Sequence, residues 1–164
     1  MKDSGLKWAI LRPGLFMQNT LLQAPLIRSE NKMVLAFPKD VPIAFIDTRD
    51  SGAFGARVVR NPAVHAGKTY EYTGVRSSFG EFANAFSEVL GRPITYVQLS
   101  LEQAEQGMKA RGMPDWLIAH QIAVARIAAA GGFSNENVQP FVEVVGRRPV
   151  ALKQFIDDHK GAFA

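Results

Sequence analysis

The chain has 164 residues, 47% of them hydrophobic, and it contains no cysteine, which excludes disulfides, thiolate metal ligands and cysteine nucleophiles. Its 19 basic and 15 acidic residues are scattered rather than clustered on a recognisable stretch, so we expect no nucleic-acid partner. The sequence has neither an apolar stretch of the roughly 20 residues that span a bilayer nor a signal-peptide core, so we expect a cytoplasmic protein with no membrane partner.

The first part of the chain alternates short apolar runs with helical patterns. The predicted elements are a strand over 7–11, a helix over 18–28, strands over 33–35 and 43–46, and a helix over 50–60. Pro25 is expected to kink or shorten the first helix because it lacks a backbone N–H. Asp50 is expected to cap the second helix, with Phe54 and Val59 facing the core.

The second part continues the alternation. Its predicted elements are a strand over 69–72, a helix over 79–90, a strand over 94–99, helices over 101–111 and 114–130, and helices over 138–145 and 152–159. Ser78 with Glu81, and Ser100 with Gln103, have the spacing of capping boxes. The order of elements indicates an α/β fold with a partly parallel sheet, and the length allows a single domain with its own core.

Four motifs occur in a fixed order along this pattern. They are Ile10-Leu11-Arg12-Pro13-Gly14-Leu15-Phe16-Met17-Gln18-Asn19, Ile46-Asp47-Thr48-Arg49-Asp50, Gly67-Lys68-Thr69-Tyr70 and Leu90-Gly91-Arg92-Pro93. Together they resemble the NmrA-like family, atypical short-chain dehydrogenase/reductases that bind NAD(P). The resemblance covers residues 4–160 and matches the second half of that family. It implies that residues 1–164 form the C-terminal, substrate-side part of a Rossmann-like NAD(P)-binding fold, with a small helical region and without the N-terminal βαβ nucleotide-binding half.

The first motif supplies the candidate site residues. The resemblance implies that Pro13, Gly14 and Phe16 contact the NAD(P) cofactor and that Met17 and Asn19 line the substrate side. The residues themselves equally fit a structural interpretation. In that interpretation, Pro13 and Gly14 form a strand-to-helix turn, Phe16 and Met17 fill the core, and Asn19 caps its helix. No catalytic residue is identified.

The other candidates for chemistry are weaker. Tyr72 and Arg76 have the spacing of the Tyr-x-x-x-Lys pair of typical short-chain dehydrogenases, but they straddle a strand end, which favours coincidence. Asp47 could orient the substrate-side loops, but its place near a helix start favours a structural role. The histidines have no second ligand at metal-binding spacing, so we expect no metal site. The helix over 114–130 fits ordinary packing or, by the resemblance, a lid over a substrate pocket.

The sequence contains no Gly-x-Gly-x-x-Gly loop, which in dinucleotide-binding folds brings backbone against the pyrophosphate. We therefore expect a C-terminal fragment of an NmrA-like NAD(P)H-dependent oxidoreductase that acts on a quinone or similar small acceptor, with the isolated chain inactive. Two alternatives stay open: a non-catalytic, dinucleotide-sensing regulator that binds a protein partner, and a stand-alone interaction module. A first strand without its sheet neighbours also predicts self-association of the isolated chain.

Overall fold

The structure is a computed structural model that describes residue 3 and residues 5–164. Its strands are β1 (Ile10–Pro13), β2 (Leu15–Phe16), β3 (Lys32–Leu35), β4 (Ile43–Ile46), β5 (Thr69–Tyr72), β6 (Val75–Ser77) and β7 (Thr95–Gln98). Its helices are α1 (Ala24–Glu30), α2 (Thr48–Arg60), α3 (Pro62–His65), α4 (Phe79–Leu90), α5 (Leu101–Ala110), α6 (Asp115–Ala129), α7 (Gln139–Val145), α8 (Leu152–Asp158) and α9 (Lys160–Phe163). A 3-10 helix, Met17–Gln23, precedes α1. The predicted α/β class is confirmed.

Most strand pairs are parallel, as the sequence predicted. β1 pairs with β5, β2 with β4 and β3 with β7, all in parallel, whereas β6 runs antiparallel to β4. Gly14 separates β1 from β2, and its N–H donates to the carbonyl oxygen of Tyr72 at 3.0 Å. The extended chain therefore changes partner at Gly14, from β5 on one side to β4 on the other.

Aromatic side chains dominate the interior. The largest apolar cluster contains residues of β4, α4 and the helices α8 and α9, including the buried rings of Phe45, Phe82 and Phe155. A second cluster packs α2 and α7 against β5, where Phe54 stacks on Tyr72 with ring centroids 4.3 Å apart. These clusters fix the two strand pairs that meet at Gly14.

Two local predictions about caps are confirmed. In α4, the backbone N–H of Glu81 donates to Ser78 Oγ at 3.2 Å, and the Ser78 N–H donates to the Glu81 carboxylate at 2.6 Å. In α5, Ser100 and Gln103 exchange the equivalent bonds at 3.1 and 2.9 Å. Each box satisfies backbone donors that the first turn of a helix leaves without a partner.

The predicted cap of α2 was wrong, because Asp47 rather than Asp50 holds that position. The Asp47 carboxylate accepts from the backbone N–H of Arg49 at 2.7 Å. Asp50 is fully buried in the first turn, where it accepts from the Val150 N–H at 2.7 Å and lies 2.7 Å from Arg147 Nη2. The partners of Asp50 are too far along the chain to be read from local spacing.

Some strand and helix details also differ from the predictions. β1 begins at Ile10 and continues through Pro13, so it starts three residues later than the predicted 7–11. Val59 of α2 is 77% exposed rather than packed inward. The predicted first helix is split into a 3-10 helix and α1, and Pro25 lies in the first turn of α1, where a missing N–H costs little.

Candidate functional site

The candidate site lies where β1 ends and the chain crosses to β2. Pro13 is the last residue of β1, and it is in register with Tyr72, the last residue of the parallel strand β5. Ligands of open α/β sheets bind outside the carboxyl ends of such strands. Two clefts open here, and Gly14, Leu15 and Phe133 line both of them.

The first cleft, which we call the strand-end cleft, has a volume of about 460 Å³. Its walls include Arg12, Pro13, Gly14, Thr73, Asn135 and Asn137. The Asn137 N–H donates to Thr73 Oγ1 at 2.7 Å, and the Thr73 N–H donates to the Asn137 carbonyl at 2.9 Å. These two hydrogen bonds hold the segment that follows α6 against the residue that follows β5. The cleft therefore presents backbone and amide groups on a fixed frame.

The second cleft, which we call the aromatic cleft, has a volume of about 340 Å³. Phenylalanine rings form much of its wall, namely those of Phe16, Phe37, Phe45, Phe79 and Phe133. The Phe79 ring lies 4.9 Å from the ring of Phe37 and 5.5 Å from that of Phe45, measured between centroids. Polar groups on the wall include Asn19, His120 and Gln121. Such a wall suits a flat, largely apolar ligand with a few polar atoms.

Four of the five predicted site residues lie on these walls. Pro13 and Gly14 line the strand-end cleft, and Gly14, Phe16 and Asn19 line the aromatic cleft. Met17 is fully buried in the largest core cluster and is not on either wall. Asn19 lies inside the 3-10 helix and not at its N-cap, which is Phe16. The functional roles of these residues remain predictions.

Gly14 has a packing reason to be glycine. A Cβ built on it would lie 2.5 Å from the backbone oxygen of Ala44 on β4. Real Cβ atoms essentially never approach an oxygen so closely, so a side chain here would push β2 from its neighbour. Glycine is therefore required for the close approach of the strands, whether or not a ligand contacts it.

A buried carboxylate positions the 3-10 helix that carries Asn19. Asp47 Oδ1 accepts from Gln18 Nε2 at 2.8 Å, and Gln18 Oε1 accepts from the Thr48 N–H at 3.0 Å. The Arg49 guanidinium chelates Asp47, with Nη2 at 2.6 Å from Oδ2, and its Nη1 reaches Asp158 at 2.7 Å. Asp47 thus joins the wall of the aromatic cleft to the start of α2.

The charges in this network shift the acid–base behaviour of its members. Burial acts to raise the pKa of Asp47, but the hydrogen bonds from Arg49 and Gln18 together outweigh it, so the pKa lies below its ordinary value. The hydrogen bonds from Asp47 and Asp158 raise the pKa of Arg49. Asp47 is therefore a structural anion, as the sequence suggested, with a positioning role toward the cleft.

Tyr72 and Arg76 do not form a catalytic pair. Tyr72 is 1% exposed and stacked on Phe54, and burial raises the pKa of its hydroxyl. Arg76 Nε donates instead to the Ser134 carbonyl at 3.1 Å. This geometry supports the interpretation that their spacing is coincidental.

Residue 3 and residues 5–164 contain no group of three or more His, Asp or Glu side chains placed to hold a metal ion. Over the same part of the chain, no helix combines the length and the apolar character needed to cross a membrane.

With this geometry in hand, the chain can be compared with known proteins. Residues 1–144 match the NmrA-like family. The chain belongs to the NmrA-like family. The NAD(P)H azoreductase of Xenophilus azovorans is 31% identical over 164 residues, an alignment that covers 99% of this chain and 56% of the azoreductase. Quinone oxidoreductase 2 of Escherichia coli strain K12 is 27% identical over 157 residues, covering 95% of this chain and 54% of that protein.

Solved structures show the same architecture. The NADPH-dependent quinone oxidoreductase from Escherichia coli superposes with a TM-score of 0.83 at 26% identity, over 97% of this NmrA-like chain and 57% of that structure. The negative transcriptional regulator NmrA in complex with NAD superposes with a TM-score of 0.66 at 17% identity, over 96% of this chain and 53% of that structure, a likeness of fold alone. The chain spans about half the length of the curated relatives it matches.

The aromatic wall of the cleft was missed by sequence reasoning. Phe37, Phe79 and Phe133 come from three separate parts of this NmrA-like chain. Phe37 and Phe79 occur in apolar patterns that predict burial, whereas Phe133 stands between Gly132 and Ser134, where no such pattern exists. His120 appeared isolated because its neighbours in space are distant in sequence. No local signal brings these side chains to one cleft, since only the packing of α6 and the 131–137 segment against the strands does so.

Proposed function

We propose that this NmrA-like chain forms the acceptor side of an NAD(P)H-dependent oxidoreductase that reduces a quinone or similar small planar acceptor. The observation that carries the proposal is the pair of adjoining clefts, which share Gly14, Leu15 and Phe133. One cleft lies at the carboxyl end of parallel strands and has Asn135 and Asn137 on its wall, and the other is lined by aromatic rings. The names of the relatives, an NAD(P)H azoreductase and a quinone oxidoreductase, support the same reaction class.

The strand-end cleft fits the nicotinamide end of a dinucleotide. Its wall includes Pro13, Gly14 and Asn135, and a carboxamide group needs hydrogen-bond donors and acceptors of the kind that a backbone and an asparagine side chain carry. A dihydronicotinamide bound there would supply the hydride. The pyrophosphate has no matching glycine-rich loop in these 164 residues. The proposal therefore requires residues other than these 164 to bind the pyrophosphate, and it predicts that the isolated chain is inactive.

The aromatic cleft would hold and orient the acceptor. Phe16 at its rim and Phe133 on the shared wall offer ring faces for stacking, and the buried rings of Phe45 and Phe79 exclude water from the cleft floor. Stacking a planar acceptor beside the nicotinamide lowers the barrier by proximity and orientation. Met17 contributes from the core, where it supports the turn that carries Phe16.

The test compares two polypeptides, the 164-residue chain and the product of the longest reading frame in its source gene that contains these residues. Each is mixed with NADH or NADPH and with 1,4-naphthoquinone or an azo dye, and loss of dihydronicotinamide absorbance is followed. We expect turnover by the longer product and none by the 164-residue chain. If the longer product consumes neither cofactor with any acceptor, the proposal is wrong.

Dinucleotide binding and partner capture, measured on the same two polypeptides, address the alternatives of a regulator and an interaction module. Saturable dinucleotide binding without turnover, together with capture of a defined protein partner, would favour a dinucleotide-sensing regulator. Partner capture without dinucleotide binding would favour an interaction module. The reductase is the leading proposal because the aromatic cleft provides a site for an acceptor as well as for a cofactor.

A further inference from the structure

The aromatic cleft contains one titratable side chain that the proposed function leaves unused. His120 lies on α6 and lines the cleft beside Gln121 and Val124. Among the described residues of that wall, His120 alone has a side chain that can carry a positive charge, and the others have no ionisable group. The residue is also exposed, so its imidazole can exchange protons with bulk water.

The proposed reaction creates a need for such a group. A quinone that accepts a hydride, which carries two electrons, becomes a hydroquinone monoanion, while the dihydronicotinamide that supplied the hydride is oxidised. The monoanion becomes the neutral hydroquinone when one O–H bond forms. An azo group has the same requirement, because hydride addition to one nitrogen leaves a proton to be added at the other. A positioned acid beside the acceptor meets this requirement.

We propose that His120 donates the proton that completes reduction of the acceptor in the aromatic cleft. In this step an imidazolium N–H bond breaks, an acceptor O–H bond forms, and the neutral imidazole then recovers its proton from water. The proposal rests on the proposed function, since it places the acceptor in the cleft that His120 lines.

Charged groups of α5 and α6 interact with one another. On α5, which packs against α6, Lys109 pairs with Glu105 at 2.6 Å and also interacts with Asp115 at the start of α6. Arg126 of α6 interacts with Glu102 of α5. The side chains that the 3-10 helix and the 131–137 segment contribute to the wall shared with His120 are uncharged, and they include Asn19, Gln23 and Phe133. An anion forming in the cleft would therefore attract its proton from His120.

The first experiment measures binding to the 164-residue chain, so it does not depend on catalysis. The probe is 2-hydroxy-1,4-naphthoquinone, which is an anion near neutral pH and mimics the hydroquinone monoanion, and 1,4-naphthoquinone is the uncharged reference. Affinities for the chain and for His120→Gln are measured by calorimetry from about pH 5 to 8. The C2–H resonance of His120 is followed by NMR during each titration.

We expect the anionic probe to bind His120→Gln roughly fivefold or more weakly than the unchanged chain at the acidic end of the range, as for loss of one charge at about 4 Å. The difference should be larger where the C2–H resonance shows a protonated imidazole than where it shows a neutral one. The uncharged quinone should bind both proteins equally. The matched control, His120→Gln with Ala119→His, keeps one histidine but turns it about 100° around α6 and should not restore anion binding.

The outcomes separate the two proposals. Equal binding of the anionic probe to the unchanged chain and to His120→Gln, with normal binding of 1,4-naphthoquinone, would overturn the role of His120 and leave the acceptor site intact. Restoration of anion binding by Ala119→His would also overturn the role of His120, since a positive charge at any nearby position would then explain the binding. Failure of both quinones to bind would refute the acceptor site itself. A pH-dependent loss confined to the anionic probe would support the proposal.

Discussion

Replacing Asp47 with alanine tests whether one buried carboxylate holds the cleft wall to α2. The substitution removes the acceptor for the Arg49 backbone N–H and for Gln18 Nε2, and it breaks the ion pair with the Arg49 guanidinium. The side chain is fully buried, so water cannot replace the lost acceptor without rearrangement of the first turn. We expect both a loss of stability and a looser 3-10 helix.

The size of the loss follows from the three contacts. Loss of an N-cap costs about 1 kcal/mol. The bond from Gln18 to a charged acceptor contributes about 1.5 kcal/mol or more. The Arg49 side chain is 47% exposed, so its ion pair contributes less than about 1 kcal/mol. Together these indicate a loss of about 3 kcal/mol, or a fall in Tm of about 6–12 °C for a domain of this size.

The pH dependence of this contribution has a defined sign. The pKa of Asp47 in the folded chain lies below the value of 3.8 that it has without these contacts. Its stabilising contribution is therefore present above that value and is lost as the pH falls through the folded pKa. The difference in unfolding free energy between the unchanged chain and Asp47→Ala should shrink below about pH 4.

Urea denaturation followed by circular dichroism measures these quantities. Asp47→Asn retains a cap and should recover about 1 kcal/mol of the loss. Asp158→Ala removes only the outer partner of Arg49 and should cost less than about 1 kcal/mol. A loss below about 1 kcal/mol for Asp47→Ala, or a difference that persists unchanged at acidic pH, would refute the reasoning.

Three further predictions concern packing and assembly. Gly14→Ala should destabilise the fold by about 1–3 kcal/mol and weaken naphthoquinone binding, whereas Gly52→Ala, which meets nothing within 4 Å, should leave stability unchanged or raise it in the same urea assay. Arg92→Lys should cost about 1–3 kcal/mol in urea, because Arg92 donates to the carbonyls of Ile27 at 3.0 Å and Phe163 at 2.7 Å through separate nitrogens. Light scattering after size exclusion should show self-association of the isolated chain, and a stable monodisperse monomer would contradict that prediction.

Local signals in the sequence were sufficient for much of the fold. The helices α4 and α5 were predicted from Ser78 and Ser100, because each capping box is complete within four residues. The alternation of apolar runs and helical patterns gave the α/β class, and parallel pairing followed from it. The placement of Pro13 at a strand end also followed from the apolar run that precedes it.

Contacts between distant residues decided what the sequence could not predict. The local sequence predicts Asp50 as a helix cap, but in the fold its carboxylate contacts Arg147 and the Val150 N–H. Trp116 belongs to the apolar pattern of the helix over 114–130, but it is 72% exposed, whereas Ile118 of the same helix is buried in a cluster with residues of α5. The apolar pattern of a helix identifies candidate core residues, but the orientation of its neighbours selects the face that is covered.

The contacts at the start of α2 join residues that are far apart in the sequence, which affects when this region can fold during synthesis. Asp50 accepts a hydrogen bond from the Val150 N–H, which lies 100 residues further along the chain, and Arg49 pairs with Asp158, which lies 109 residues further. At about 5–20 residues per second, a ribosome needs on the order of 5–20 seconds to deliver that distance. During this interval the carboxylate of Asp50 has no counterpart and stays in water. The start of α2 would therefore reach its native packing only after residue 150 has left the exit tunnel. Until then the apolar face of α2 would be accessible to chaperones and proteases.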